Sequence, residues 1–318
     1  MTTAGQGGAR VAIVTGAAGG LGRAHALRLA ASGCQVVVND VGVDFRGDRP
    51  SADAVVAEIR AAGGVAVADG HDVVSEASAV VATAVDAFGG VDVVVNNAGT
   101  AAGTPIGPGA AEEWRATLAT SIDGSIGVTG AAWPHLVTSD AGRVVMTASN
   151  AMFGARFTPA YSTAKSALYG LTRSLAGAGR RDGIGVNCVL PAAWTRLVRA
   201  LPPGPVAELM EGRFPPEAVS SFVAWLCDPS CAVSGESFSV GGGRAARVLL
   251  AENRGVEPGL DAGPAEWAAL ADELMGTADV GFPLDIDDEV SWQAHNLSGD
   301  VPEGFRPGGP LDWARRAR

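Results

Sequence analysis

"RVAIVTGAAGGLGRA", residues 10–24, is the stretch that decides the fold. Its first half, "RVAIVTG", is a short apolar run rich in β-branched residues and closed by glycine. Such a run reads as a strand buried on both faces. Its second half opens an alanine-rich segment, "GLGRAHALRLAASG" (20–33), with the composition of a helix that Gly33 terminates. Between the two lie Gly16, Gly20, Leu21 and Gly22. Glycines on such a turn let the backbone approach a pyrophosphate, and the helix N-terminus supplies N–H donors and a partial positive charge. A glycine-rich turn alone says little. One set between a strand and a helix, at the start of a βαβ unit, points to a dinucleotide.

The same alternation continues outward. Strands are expected at 35–40, 65–70, 91–99, 142–149, 183–191 and 236–243. Helices are expected at 51–64 (capped by Ser51 or Asp53), 75–90, 110–136, 158–178 and 215–228. Apolar strands alternating with helices mean a parallel sheet covered on both sides. The expected fold is therefore α/β: a Rossmann-type, doubly wound, seven-stranded parallel sheet flanked by helices, over residues 1–243. Residues 244–318 change character and are rich in Pro, Gly, Asp and Trp. Trp267, Trp292 and Trp313 argue that this extension buries surface, on the core or on a neighbouring subunit.

Composition removes several classes of function. A net charge of -11 opposes a nucleic-acid partner, since phosphate backbones demand a basic face. No apolar run is long enough to span a bilayer, and the N-terminus lacks a signal-peptide core. The expectation is a cytoplasmic protein that meets neither membrane nor nucleic acid. Cys34, Cys188, Cys227 and Cys231 form no CxxC pair and no zinc-finger spacing. They read as reduced, packed thiols, with no metal expected.

Strand ends mark the rest of the dinucleotide crevice. Asp40 closes the second strand, where a carboxylate accepts from adenosine ribose hydroxyls and repels a 2′-phosphate. This predicts NAD, although Arg46 and Arg49 in the following loop offer a phosphate an alternative. Asp72 and Val73 follow the third strand and suit an adenine amino group and ring face. "NNAG" (96–99) ends the fourth strand and brings Asn97, Ala98 and Gly99 beside the cofactor.

The chain contains one lysine, Lys165, and two tyrosines, and Tyr161 stands four residues before that lysine. On a helix the two share a face. An ammonium favours a phenolate, so Lys165 is expected to lower the pKa of Tyr161 and to reach cofactor ribose hydroxyls. Ser149, at the end of the fifth strand, can donate to a carbonyl becoming an alkoxide.

TGxxxGxG, NNAG, a strand-end serine and YxxxK, in this order, resemble the short-chain dehydrogenase/reductase family over residues 10–243. "VVVNDVGVDFRG", "GRVVMTAS", "FVAWLCDPSC" and "FSVGGG" are similar to its (3R)-hydroxyacyl-CoA dehydrogenase branch. That branch includes the dehydrogenase domain of peroxisomal multifunctional enzyme type 2, also described as a 17β-hydroxysteroid dehydrogenase, and actinobacterial stand-alone relatives. The resemblance implies NAD-dependent oxidation of a secondary alcohol. The substrate would be a small molecule, an acyl-CoA or a steroid, and the enzyme a homodimer or homotetramer. It implies catalytic roles for Ser149, Tyr161 and Lys165, and contacts to cofactor from Pro191 and Thr195. It also points to a substrate loop at 191–214, with Trp194, Leu197, Val198, Leu201 and Met210 lining an apolar site. Arg196 and Arg199 read first as solvated surface arginines, with CoA phosphates as the alternative. Two departures stand out: Ser121 replaces the family's relay asparagine, and Ser149 precedes Tyr161 by twelve residues where thirteen is usual, which puts Ala148 at the usual spacing. Rivals are a hydroxysteroid dehydrogenase, a 3-oxoacyl carrier-protein reductase and a non-catalytic NAD sensor.

Overall fold

The computed structural model describes residues 8–42, 51–100, 106–107, 110–156, 158–195, 198, 203–283 and 285–296. Arg46, Arg49, Arg196, Leu197, Arg199, Leu201 and Trp313 lie outside the described residues. The chain separates into two compact units, Met1–Val248 and Leu249–Arg318.

In the first unit, β1 (Val11–Thr15), β2 (Gln35–Asn39), β3 (Val65–Asp69) and β4 (Val93–Asn96) join β5 (Arg143–Thr147), β6 (Gly185–Pro191), β7 (Ser237–Gly241) and β8 (Arg244–Val248) in one sheet. The order is β3-β2-β1-β4-β5-β6-β7-β8, and every pairing is parallel except β7 with β8. The connections are α1 (Gly20–Ala31), α2 (Ala52–Ala61), α3 (Ala77–Phe88), α4 (Ala111–Leu118), α5 (Gly124–Thr138), α6 (Pro159–Gly179), α7 (Pro205–Arg213) and α8 (Pro216–Cys227). Strand order reverses between β1 and β4, the switch point at which such sheets take ligands.

The unbroken apolar strands have a plain cause. Ala12, Val14, Val36, Val38 and Val93 pack with Leu29, Ile59 and Leu226 on one face. Val11, Ile13, Val37, Val94 and Met146 pack with Val80, Leu136 and Leu168 on the other. With both faces buried, alternation disappears from the sequence. Ser51 caps α2 as expected, its hydroxyl accepting from Ala54 N at 3.3 Å.

Two expectations need correction. The sheet has eight strands rather than seven, because 244–248 turn back as an antiparallel edge instead of opening the extension. Gly242 and Gly243 carry φ of 57° and 77°, the left-handed pair that a two-residue hairpin demands. The helix expected over 110–136 is α4 and α5 joined by a π turn, Ala119–Asp123, with Ser121 at its centre.

The second unit holds α9 (Pro264–Ala269), α10 (Ala271–Leu274) and α11 (Ile286–Asn296). Within it, the Asn253 side chain donates to the carbonyls of Leu274 and Gly276 at 2.7 and 2.8 Å. Trp292 Nε1 donates to Asn253 O at 3.2 Å. Trp292 is half-buried, whereas Trp267 is exposed.

Candidate active site

The turn after β1 is built from glycines for steric reasons. Gly16 and Gly20 have φ of 60° and 52°. A Cβ on Gly22 would stand 2.2 Å from Gly16 O and 2.6 Å from Asn97 Nδ2. Helix α1 begins here with no side-chain cap and no acidic residue in its first turn. Its leading amides therefore face outward with no intrahelical acceptors, the arrangement that binds phosphate. Leu21 turns inward and packs on the core.

Asn97 ties the β4 end to this turn. Its Nδ2 donates to Thr15 O and Gly16 O at 2.9 and 3.0 Å. The amides of Asn97 and Ala98 both donate to Thr15 Oγ1 at 3.0 Å. Asp40 grips the turn from the β2 side: its Oδ2 accepts from Ala18 N and its Oδ1 from Gly42 N, each at 3.0 Å. The glycine turn, the Asn97 strap and the Asp40 carboxylate thus form one cradle, which fits the diphosphate and ribose of a dinucleotide.

Behind Asp40 lies a group that the sequence did not single out. Asp69, buried at the end of β3, accepts from Asn39 Nδ2 at 2.6 Å and Thr83 Oγ1 at 2.7 Å. It also pairs with His71 Nδ1 at 2.7 Å, and this hydrogen bond raises the His71 pKa. The network fixes the loop carrying Asp72, whose Oδ1 accepts from Val74 N at 2.8 Å. Val73 is buried against Gly124, where a Cβ would lie 2.7 Å from its Cγ2.

Ser149, Tyr161 and Lys165 come together at the carboxyl end of β5. Ser149 Oγ donates to Asn150 Oδ1 at 3.3 Å and accepts from Ala151 N at 3.1 Å, and its hydroxyl acts on the Tyr161 phenol to lower its pKa. Ala148, at the family's usual spacing, is buried in the core. Lys165 Nζ lies 5.6 Å from the Tyr161 ring centroid and donates to Thr147 O at 2.7 Å. The expected lowering of the Tyr161 pKa by Lys165 is not found in the free protein. Burial raises the Tyr161 phenol above its ordinary value, and the Ser149 hydrogen bond opposes this only in part. The same burial lowers Lys165 from 10.5 to about 8. At neutral pH the lysine stays protonated, but at a cost.

Gly99 and Ser121 complete the group. A Cβ on Gly99 would meet Lys165 Nζ at 3.1 Å and Ser121 Oγ at 3.5 Å. The Ser121 hydroxyl is buried with no hydrogen-bond partner. Pro191 ends β6, and Thr195 follows with its Cγ2 3.6 Å from where a Gly20 Cβ would stand. Trp194 N donates to Phe214 O at 2.7 Å, while its indole Nε1 is buried without a partner. Val198 and Met210 are half-buried. The four cysteines are free and buried, and no metal-binding cluster occurs among the described residues. No described helix is long and apolar enough to cross a membrane.

Comparison with known proteins agrees with this geometry. The profile described as short chain dehydrogenase matches residues 10–200. The chain is 42% identical over 238 residues to mouse peroxisomal multifunctional enzyme type 2, covering 74% of this chain and 32% of that protein. It thus spans about a third of the mouse enzyme's length. A short chain dehydrogenase from Mycobacterium avium superposes with a TM-score of 0.72 at 37% identity, covering 85% of this chain and 95% of that one. A 7α-hydroxysteroid dehydrogenase, complexed with NADH and 7-oxo glycochenodeoxycholic acid, gives 0.66 at 27% identity, covering 74% and 93%.

Proposed function

The chain belongs to the short-chain dehydrogenase family and is an oxidoreductase using a nicotinamide cofactor, and from that premise we propose that it oxidises a (3R)-hydroxyacyl-CoA to the ketone with NAD. The observation that carries the reading is the convergence of Ser149, Tyr161 and Lys165 beside Gly99, at the edge where the glycine turn opens.

Gly16, Gly20, Leu21, Gly22, Asn97, Ala98, Gly99, Pro191 and Thr195 would hold the cofactor, with Asp40 on the adenosine ribose and Asp72 near the adenine. When bound, nicotinamide accepts the hydride of the carbinol carbon. Ser149 donates a hydrogen bond to the substrate oxygen and holds it within reach of Tyr161. Tyr161 takes the hydroxyl proton. In the free protein its raised pKa makes it a poor base. The Lys165 ammonium, beside Tyr161, would hold cofactor ribose hydroxyls and stabilise the phenolate. Ser121, whose buried hydroxyl shares the space over Gly99 with Lys165, anchors a water that passes the proton outward. The Asp40 carboxylate supports NAD over NADP by repelling a 2′-phosphate.

The thioester preference rests on the kinship to the mouse enzyme, and a free hydroxysteroid is the second reading, favoured by the superposition on the 7α-hydroxysteroid dehydrogenase. Steady-state oxidation of a (3R)-hydroxyacyl-CoA against a free hydroxysteroid separates them. Turnover confined to the steroid would reject the thioester. A homodimer or homotetramer is part of the proposal. Trp225, 42% exposed and in tilted and edge-on contact with Phe222 and Phe238, supplies an aromatic surface for it. A monomer by light scattering would end that part.

A further inference from the structure

A cavity opens on the carboxyl side of β6 and β7, apart from the Tyr161 group. It holds about 340 Å³, and its lining includes Arg213, Phe214, Ser239, Arg244 and the backbone of Gly241 and Gly242. Glycine is what allows it to form. A Cβ on Gly241 would stand 2.5 Å from Ala192 O and 3.0 Å from the Phe214 ring, and one on Gly242 would stand 3.2 Å from that ring. Phe214 therefore lies directly on the hairpin turn. Its carbonyl accepts from Trp194 N at 2.7 Å, which ties the end of α7 to the residue beside Thr195.

This packing sets two cations over one cavity. Arg213 is the last residue of α7 and Arg244 the first of β8, and both are exposed. Neither guanidinium has an ion pair or side-chain hydrogen bond among the described residues. Arg247, on the same strand, is instead neutralised by Glu236. In a chain of net charge -11, two uncompensated arginines beside a serine hydroxyl and open glycine backbone are a local reversal of sign. Planar guanidinium forks match phosphate oxygens better than any other side chain.

We propose that this cavity is the phosphate subsite of the substrate, where Arg213 and Arg244 hold the phosphorylated nucleotide end of a coenzyme A thioester. The assignment rests on the thioester reading above. It gives that reading a second anchor remote from the reacting carbon.

The test uses the NADH-loaded protein and an Arg213→Gln/Arg244→Gln variant, with free coenzyme A titrated into each by calorimetry. Kinetics are run in parallel with a (3R)-hydroxyacyl-CoA and with its N-acetylcysteamine thioester, which lacks every phosphate. The expected result is coenzyme A affinity about tenfold weaker in the variant, with a matching rise in KM for the CoA thioester. The kcat, and all constants for the truncated thioester, stay unchanged. Equal coenzyme A binding by both proteins, or binding by neither, would overturn the assignment. So would inorganic phosphate competing as well as coenzyme A does, which would mark a plain anion site. Arginine-dependent coenzyme A binding without oxidation of any thioester would uphold the subsite while rejecting the reaction.

Discussion

Lys165→Met should make the free protein more stable while abolishing turnover. Lys165 is 3% exposed, and burial lowers its pKa from 10.5 to about 8. Each pKa unit corresponds to about 1.4 kcal/mol, so keeping this ammonium charged at pH 7 costs the fold roughly 3 kcal/mol. The hydrogen bond to Thr147 O is lost in the variant and offsets part of that gain. A net stabilisation of about 1–2 kcal/mol is expected at pH 7. The pH dependence carries a definite sign. Below about pH 8 both folded and unfolded lysine are protonated, and the penalty is constant. Between about 8 and 10.5 the unfolded chain binds more protons, so wild-type stability rises with pH relative to the variant. Above 10.5 both forms are neutral and the penalty has vanished. Urea unfolding of both proteins, without cofactor and at one protomer concentration, is the assay. The variant's advantage at pH 7 should disappear or reverse by pH 10.5. A variant less stable than wild type by the same amount at every pH would refute the reasoning, since a buried charge would then carry no cost.

His25, fully buried and bonded through Nδ1 to Ser220 Oγ at 2.8 Å, has its pKa lowered from 6.5 to about 3 by burial. Its stabilising contribution is complete above pH 6.5 and lost as pH falls toward 3, amounting to about 2 kcal/mol at pH 5. In urea unfolding at pH 8 and pH 5, His25→Leu should show a fall about that much smaller than wild type. Gly22→Ala places a methyl 2.2 Å from Gly16 O, which should cost about 1–3 kcal/mol and abolish measurable NAD binding by calorimetry. Asp40→Ala removes the acceptor of the Ala18 and Gly42 amides. NAD affinity should fall about tenfold and the preference over NADP should narrow in fluorescence titrations.

Much of this architecture was legible because its signals are local. The strand–glycine–helix passage at 10–24 and the Tyr161–Lys165 spacing each depend on neighbours in sequence. Ser51 could be named as a cap for the same reason. The misreadings arise where tertiary geometry decides. The Gly242–Gly243 turn needed "RAARV" to be seen as a returning strand, yet that segment is charged and exposed, as edge strands are. The π turn at Ser121 leaves no compositional mark. Asp69 gave no motif either, because its partners come from β2, α3 and the following loop. Spacing alone favoured Ala148, and the match of "MTAS" favoured Ser149. Their difference in depth distinguishes them, Ala148 packing into the core and Ser149 reaching Tyr161. The Tyr161 pKa was misjudged because spacing reveals a neighbouring charge but not the burial that opposes it.

The central claim is that Tyr161 draws a proton from a (3R)-hydroxyacyl-CoA as hydride leaves for NAD. The most direct measurement is the initial rate of NADH formation from that thioester and its (3S) epimer, for wild type and Tyr161→Phe. The account predicts NADH from the (3R) thioester only, with the rate reduced by about 10²–10⁴ in the variant. Undiminished turnover by Tyr161→Phe, or no NADH from wild type despite measurable NAD binding, would contradict it.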